Sequence, residues 1–388
     1  MSELSRGTGR PPRHWAELSP DERRSAVTSI GLPAFRVDQV SRHYFERHEV
    51  NPVDWTDLPQ TARDQVATFF PPLLTPVLHR HCDNNLTTKT LYALTDQSTI
   101  ETVRMHYPQA SPSRLSVGSV RKTPPGGGPN PPTNSLEDPE GGGGRTTLCL
   151  STQVGCGMGC PFCATGQAGL TRNLSAGEII EQVRTSLSAG PLANVVFMGM
   201  GEPLANYGAS LTAIRAITSP PPNGFGLSAR GITVSTVGVV PRINDLAQAG
   251  LPVTLAISLH ASNDVLRDKL VPLNTRWNIA EVLDAARDYF ETTGRRVSIE
   301  YALMRDINDA PQDAERLARL LIERGRGWVH VNLIPLNPTP GSPWTASRRR
   351  DQEDFVAVLD SHRIPVTVRD TRGQSIDGAC GQLAATQQ

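Results

Sequence analysis

Six cysteines occur in the 388 residues, and four of them fall between positions 149 and 163. Cys156, Cys160 and Cys163 form a C-x₃-C-x₂-C loop, CGMGCPFC, while Cys149 stands upstream of it and fits no ligand spacing. A structural zinc site needs four ligands, ordinarily as two spaced pairs, and the sequence has no second C-x₂-C or H-x₃-H pair to complete one. A cubane iron–sulfur cluster held by three thiolates leaves one iron open to a small chelating molecule. That arrangement is reactive and not merely structural.

The setting agrees with reduced thiols. No apolar run is long enough to span a bilayer, and the start MSELSRGTGRPPRHW lacks the apolar core of a signal peptide, so a cytoplasmic protein is expected. Thiols stay reduced in that compartment, and clustered cysteines there serve metals or catalysis before structural disulfides. The 38 basic residues balance 38 acidic ones, so global charge selects no partner and any nucleic-acid surface must be a local patch. Of the basic residues 35 are Arg and three are Lys, a bias that runs along the whole chain.

The elements that must carry the loop become regular after residue 145. Strand-like runs at TTLCLST, NVVFMGM, GITVSTVG, VTLAISLH, RVSIEYAL, WVHVNLIPL and IPVTVR alternate with helical stretches such as SAGEIIEQVRTSL, NIAEVLDAARDYFE and DAERLARLLIERG. This is the pattern of βα units on a parallel sheet, an α/β fold closed or nearly closed into a barrel. Such barrels carry their chemistry at the C-terminal ends of the strands. The cysteine loop follows the first strand, Gly201-Glu202-Pro203 the second, and Ser235 ends the third. Ser258-Leu259-His260 closes the fourth, and Asn337 follows the sixth. One polar rim beside the cysteines is therefore expected.

Four segments precede or make up this plan. Residues 1–80 read as a helical accessory domain, with apolar residues at three- and four-residue steps in DERRSAVTSIGL and FRVDQVSRHYFERH. Residues 81–107 hold two short strand-like runs, TKTLYALTD and STIETVRMHY, read as a β-hairpin extension carrying Glu101. Residues 108–145 are rich in Pro, Gly and Ser and read as a disordered surface insertion that leaves the site intact. Residues 146–388 form the barrel and a C-terminal segment with Cys380.

The three-cysteine loop after a first barrel strand, with MGMGEP after the second, resembles the radical S-adenosylmethionine (SAM) enzymes. Together with LCLSTQVGCGMGCPFCATGQAGLTRNL, TVSTVGVVP, ISLHA, NLIPLNPTPG and IDGACGQL, the phrases PAFRVDQVSRHYF, TKTLYAL and IETVRMHYP resemble the RlmN family of RNA methyltransferases, relatives of the Cfr enzymes. The likeness implies a partial (β/α)6 barrel, a [4Fe-4S] cluster on Cys156, Cys160 and Cys163, and S-adenosyl-L-methionine as cofactor. It implies cofactor contacts at Gly201, Glu202, Ser235, Ser258, Leu259, His260 and Asn337. Taken alone, His260 would pass for a satisfied core histidine, Ser235 for a strand-end cap and Glu101 for a solvated strand-face carboxylate.

The implied reaction is methylation of carbon 2 of adenosine 2503 in 23S rRNA, and in some members of adenosine 37 in tRNAs. That carbon is electron-poor, so a polar transfer is blocked and a radical route is needed. The family pattern makes Cys380 the methyl carrier. One SAM methylates its sulfur, and a radical derived from a second takes hydrogen from the S-methyl group. The methylene radical then adds to the ring. Cys149 matches the resolving thiol, which forms a transient disulfide with Cys380, and Glu101 matches the proton acceptor.

An electron donor such as flavodoxin or ferredoxin and a monomeric state go with this reading. Accessory helices gripping folded RNA are expected, with Arg36, Arg42 and Arg47 as phosphate contacts or simply solvated helix faces, and Arg348–Arg350 as a solvated turn. Cys82 matches no functional position. Two alternatives stand beside this: methylation at carbon 8 of the same adenosine, and a non-catalytic RNA-binding protein whose cysteines hold zinc.

Overall fold

The computed structural model describes residues 11, 13–108, 144–369 and 372–384. The N-terminal part holds three helices, α1 (Pro20–Ser29), α2 (Arg36–Phe45) and α3 (Gln60–Phe69). The phrase SPDE starts α1 by simple chemistry. The Ser19 side chain accepts from the Glu22 N–H, the Glu22 carboxylate accepts from the Ser19 N–H, and Pro20 supplies a preset φ in the first turn.

An antiparallel meander follows, made of β1 (Leu74–Cys82), β2 (Thr87–Leu94) and β3 (Thr99–Tyr107). It replaces the expected two-stranded hairpin, and the boundary expected at residue 80 falls inside β1. The extra strand escaped the sequence pattern for a physical reason. β1 is a mostly exposed edge strand carrying Pro76 at a bulge, so it shows no apolar alternation. Its turn into β2 is clear in hindsight: Asp83, Asn84 and Asn85 all sit at positive φ, where Asn and Asp are tolerated best.

β3 pairs antiparallel with β4 (Arg145–Cys149), with Tyr107 opposite Arg145. The two ends of the inserted stretch thus meet on adjacent strands; residues 109–143, where the insertion was expected, lie outside the described residues. A small hairpin, β5 (Gln153–Gly155) and β6 (Leu170–Asn173), brackets the cysteine loop and the short α4 (Ala164–Ala168).

The βα units then run α5 (Ala176–Ser188), β7 (Asn194–Phe197), α6 (Tyr207–Thr218), β8 (Ile232–Thr236), α7 (Val240–Ala247), β9 (Thr254–Ser258), α8 (Asp264–Leu270), α9 (Ile279–Thr293), β10 (Val297–Leu303), α10 (Pro311–Ile322), β11 (Val329–Pro335), α11 (Arg349–Ser361) and β12 (Val366–Val368). The sheet order is β1-β2-β3-β4-β7-β8-β9-β10-β11-β12, parallel from β4 onward. All seven strand-like runs are strands, and the sheet ends at β1 and β12 instead of closing.

The helices do not form a separate core. Trp15, Tyr44 and Phe45 belong to the same buried cluster as Ile179 and Val183 of α5. Polar ties seal the junction: Tyr44 donates to the Glu181 carboxylate, Arg184 Nη1 donates to the Glu49 carbonyl at 2.9 Å, and the Gly177 N–H donates to Glu17 Oε1 at 2.6 Å. Burying the α5 ion pair Glu181–Arg184 here is tolerable because both groups are paired and hydrogen-bonded. Of the expected RNA contacts, Arg36 lies over the Phe35 ring, Arg42 is exposed, and Arg47 faces Asp57 at 3.4 Å. Arg349 and Arg350 begin α11, and Arg348 is its N-cap residue, so that run opens a helix.

Candidate active site

Backbone shape sets the cysteine loop. Gly155 has φ +77°, and a Cβ there would lie 1.9 Å from the Gly169 carbonyl, so only glycine lets β5 and β6 close beneath the loop. The closure is completed by the Cys156 N–H, which donates to the same Gly169 carbonyl at 2.8 Å. Cys156, Cys160 and Cys163 then line one cavity of about 160 Å³ with Gly201, Glu202, Ser235, Ser258, His260, Glu300, Asn337 and Cys380. Burial pushes the Cys156 thiol up to about 12 and raises Cys160 also.

The Gly-Glu turn after β7 is built with equal economy. Gly201 has φ +101°, and a Cβ would lie 2.6 Å from that of Gln153. Gln153 Oε1 in turn accepts from the Glu202 N–H at 2.8 Å. The Glu202 carboxylate accepts from the N–H groups of Leu204 and Val237, each at 2.9 Å. Burial raises its pKa to about 7, and those two N–H groups oppose the rise.

Further round the rim, Ser235 Oγ of β8 and Ser258 Oγ of β9 are 3.2 Å apart. His260, at φ 58°, accepts from the Ala302 N–H through Nδ1 at 3.0 Å, which leaves its proton on Nε2. Burial, with Arg267 nearby, lowers its pKa to about 3, so the ring is neutral. Leu259 does not line the cavity: its side chain is fully buried, and its backbone works instead, donating to the Glu300 carbonyl at 3.0 Å and accepting from Arg267 Nε at 3.0 Å. Asn337 lines the cavity, but its amide is committed to the C-terminal segment, donating to the Cys380 carbonyl at 2.9 Å and accepting from Gln374 at 2.8 Å.

Cys149 lies elsewhere. With Met105, Tyr107, Arg369 and Arg372 it lines a second cavity of about 70 Å³. Cys380, Met198, Ile334 and Asn337 line both cavities, so the Cys380 thiol stands in the wall between the cysteine loop and Cys149. Both thiols are free, as are the other four cysteines, and the transient disulfide between them is not formed. Burial lifts the Cys149 thiol to about 12, the neighbouring Cys380 sulfur adds to this and Arg369 opposes it, so Cys149 is a protonated thiol at neutral pH.

The segment bearing Cys380 is strapped from two sides. On the barrel rim, the Ala164 N–H donates to the Gly381 carbonyl at 2.8 Å, Thr165 Oγ1 to the Leu383 carbonyl at 2.5 Å, and Gln382 Nε2 to the Pro338 carbonyl at 3.0 Å. On the meander, the Gly373 N–H donates to Asp83 Oδ2 at 3.2 Å and Lys89 Nζ to the Asp377 carbonyl at 3.3 Å.

Glu101 belongs to this second set. It is no solvated strand-face group: it is 2% exposed, its Oε1 is 2.9 Å from Lys89 Nζ, and its Oε2 accepts from the Ala384 N–H at 3.1 Å. It lines neither cavity. The sequence signal for Lys89 is its type, one of three lysines in a chain that otherwise uses Arg. Lys89→Met leaves a buried carboxylate without its cation, which costs about 3–5 kcal/mol. Thermal unfolding of the variant checks this; an unchanged Tm refutes it.

The donor set suits an iron–sulfur cluster: three cysteines line one cavity, and in a cubane held by three thiolates each binds a different iron and the fourth iron stays open. Among the described residues, two buried carboxylates, Glu202 and Glu300, the hydroxyls of Thr165, Ser235, Thr236 and Ser258 and an imidazole N–H line the cavity, polar groups that suit a nucleoside bearing an amino group.

This barrel, with three thiols on the loop after its first strand and a Gly-Glu turn after the second, defines a radical SAM protein, and residues 150–358 match the model of the Radical SAM superfamily. A crystal structure of a radical SAM methyltransferase from Sphaerobacter thermophilus superposes with a TM-score of 0.83 at 41% identity, covering 97% of this chain and all of that one. A Cutibacterium acnes protein described as "Probable dual-specificity RNA methyltransferase RlmN" is 53% identical over 97% of this chain and 89% of its own length. A Streptomyces griseus protein of the same description is 51% identical over 98% and 96%. The chain belongs to the RlmN family of radical SAM RNA methyltransferases. That family membership implies a [4Fe-4S] cluster and SAM. No helix among the described residues is long and apolar enough to cross a membrane.

Proposed function

We propose that this chain methylates carbon 2 of adenosine 2503 in 23S rRNA and of adenosine 37 in tRNAs, with Cys380 carrying the methyl group and Cys149 releasing the product. The observation that carries the reading is the position of Cys380 in the wall shared by the two cavities. A sulfur there can take a methyl group from the side of the cysteine loop and meet Cys149 on the other side.

Cys156, Cys160 and Cys163 would hold the cluster, and Glu202, with the Ser235, Ser258 and His260 polar atoms, would orient the cofactor. When bound, cluster and cofactor supply the methyl group and the radical that activates it. The chain's own part is positional. The ties to Ala164, Asn337 and Lys89 fix the segment bearing the exposed Cys380, the neutral His260 offers its Nε2–H as a donor, and Phe162, Met198, Ile334 and Leu336 give the cavity an apolar wall. Glu101, held by Lys89 and the Ala384 N–H beside the segment that bears Cys380, is assigned as the acceptor of the proton lost from the adenine ring on its match to the family position. A cytoplasmic monomer reduced by flavodoxin or ferredoxin completes the proposal.

The test is mass spectrometry of nucleosides from RNA treated with the reconstituted enzyme. The expected product is 2-methyladenosine. Finding 8-methyladenosine alone refutes the position, and a colourless anaerobic preparation with no absorbance near 400 nm refutes the cluster.

A further inference from the structure

We propose that Glu300 is a ligand-binding residue, its Oε2 accepting a hydrogen bond from a ribose hydroxyl of an adenosine held in the first cavity. The proposal rests on the reading of that cavity as the place where adenosine chemistry occurs, and it adds a residue that the motifs do not assign.

Glu300 lies at the middle of β10 and is 3% exposed. Its Oε1 is doubly served, by Ser298 Oγ at 2.6 Å and by Asn332 Nδ2 at 3.0 Å. Its Oε2 has no hydrogen-bond partner among the described residues. Arg369 Nη1, at 3.8 Å, is beyond hydrogen-bond reach. The Arg369 guanidinium at that distance offsets part of the charge, but a buried carboxylate oxygen with no hydrogen-bond donor is rare in folded proteins and is open to a donor from a ligand. The side chain lines the first cavity, with Cys380 among its neighbours there.

The surroundings indicate which donor fits. Glu300 stands in register with Ser258 on β9, and Ser258 Oγ is 3.2 Å from Ser235 Oγ on β8. Three oxygen functions thus follow one another across adjacent strands. A hydroxyl suits such a row because it can donate to the carboxylate and accept from a serine, whereas an amino group can only donate. Two adenosines meet at Cys380 in the proposed reaction, that of the cofactor and that of the target nucleotide, and both carry a ribose hydroxyl.

The two sources are separated on the anaerobically reconstituted holoenzyme. In Glu300→Gln the side-chain carbonyl must stay with the Asn332 donor, so an NH₂ group replaces Oε2 and the acceptor becomes a donor. If the cofactor supplies the hydroxyl, calorimetry with S-adenosylhomocysteine shows affinity reduced about tenfold or more, the scale of a hydrogen bond to a charged group. Absorbance near 400 nm stays unchanged. Wild-type protein then loses as much with the 2′- or 3′-deoxyribosyl analogue, and the two losses do not add.

If the target nucleotide supplies it, S-adenosylhomocysteine binds the variant normally. RNA with 2′-deoxyadenosine at the target then binds the wild type more weakly by the same factor and is not penalised further by the variant. The deoxy-ligand arms need no variant and survive a failure of Glu300→Gln to fold. Unchanged affinity in both arms overturns the proposal alone. A wild type that binds no S-adenosylhomocysteine overturns the reading of the cavity, and the proposal with it.

Discussion

Reconstituted Cys149→Ala, supplied with SAM, RNA substrate and a reductant, gives a covalent protein–RNA adduct that survives denaturing electrophoresis. The expectation follows from where the two sulfurs stand. Cys149 and Cys380 line the same small cavity, and Cys380 alone of the two also reaches the cavity of the cysteine loop. A base joined to the Cys380 sulfur through a methylene can be freed by attack of a second thiolate on that sulfur. The sulfur–carbon bond breaks, its electron pair stays with the departing base, whose methylene carbon takes up a proton to become the methyl group, and the two sulfurs join as a disulfide that an external reductant must then open.

With Cys149 removed, attachment proceeds and release does not, so turnover falls on the order of 10⁴-fold while a stoichiometric adduct accumulates. A pH dependence comes with it in the unmodified enzyme. The attacking species is the thiolate, and burial holds the Cys149 thiol at about 12. Release therefore speeds up by about tenfold per pH unit as pH rises through the neutral and mildly alkaline range. Free methylated RNA at the normal yield from Cys149→Ala would remove Cys149 from the mechanism, and a pH-independent release rate would remove the thiolate step.

What the sequence made legible depended on how each residue does its work. The parallel strands were readable because each is a short Val/Ile/Leu-rich run, β9 and β10 being buried along most of their length, and their order along the sheet is the order of the chain. The cysteine loop, the Gly-Glu turn and the rim serines were readable because their chemistry is local, carried by spacing within a few residues. β1 was not, since an exposed edge strand has no pattern to show, and β5 and β6 are too short to show one.

The same contrast holds within the site. Asn337 was placed correctly at a strand end, yet its amide holds the Cys380 carbonyl, a contact across 43 residues that no local pattern encodes. Glu101 reads as a surface carboxylate until Lys89 and the Ala384 N–H are seen to enclose it, the latter from 283 residues away. Glu300 sits inside an apolar strand, where only the geometry reveals that one oxygen is served and the other is not. Long-range polar closure is thus the part of this site that sequence reasoning loses, and it concentrates on the segment that carries Cys380.

That concentration gives Cys380→Ala its meaning. The substitution removes one sulfur from a segment that is otherwise fixed by backbone atoms: the carbonyls of Asp377, Cys380, Gly381 and Leu383 accept from Lys89, Asn337, Ala164 and Thr165. None of those bonds involves the Cys380 side chain, so the fold, the cluster loop and the first cavity persist. The variant is therefore expected to keep its absorbance near 400 nm, its iron content and its affinity for S-adenosylhomocysteine, while methylation falls below detection and no RNA adduct forms even when Cys149→Ala is combined with it. The double variant is the decisive arm. If Cys380 is the atom that carries the methyl group, removing it abolishes the adduct that Cys149→Ala traps; an adduct that persists in the double variant would show that RNA is attached elsewhere. Methylation at the normal rate by Cys380→Ala would mean that the methyl group passes to the adenine without resting on this sulfur, and the place of Cys380 between the two cavities would then need another explanation.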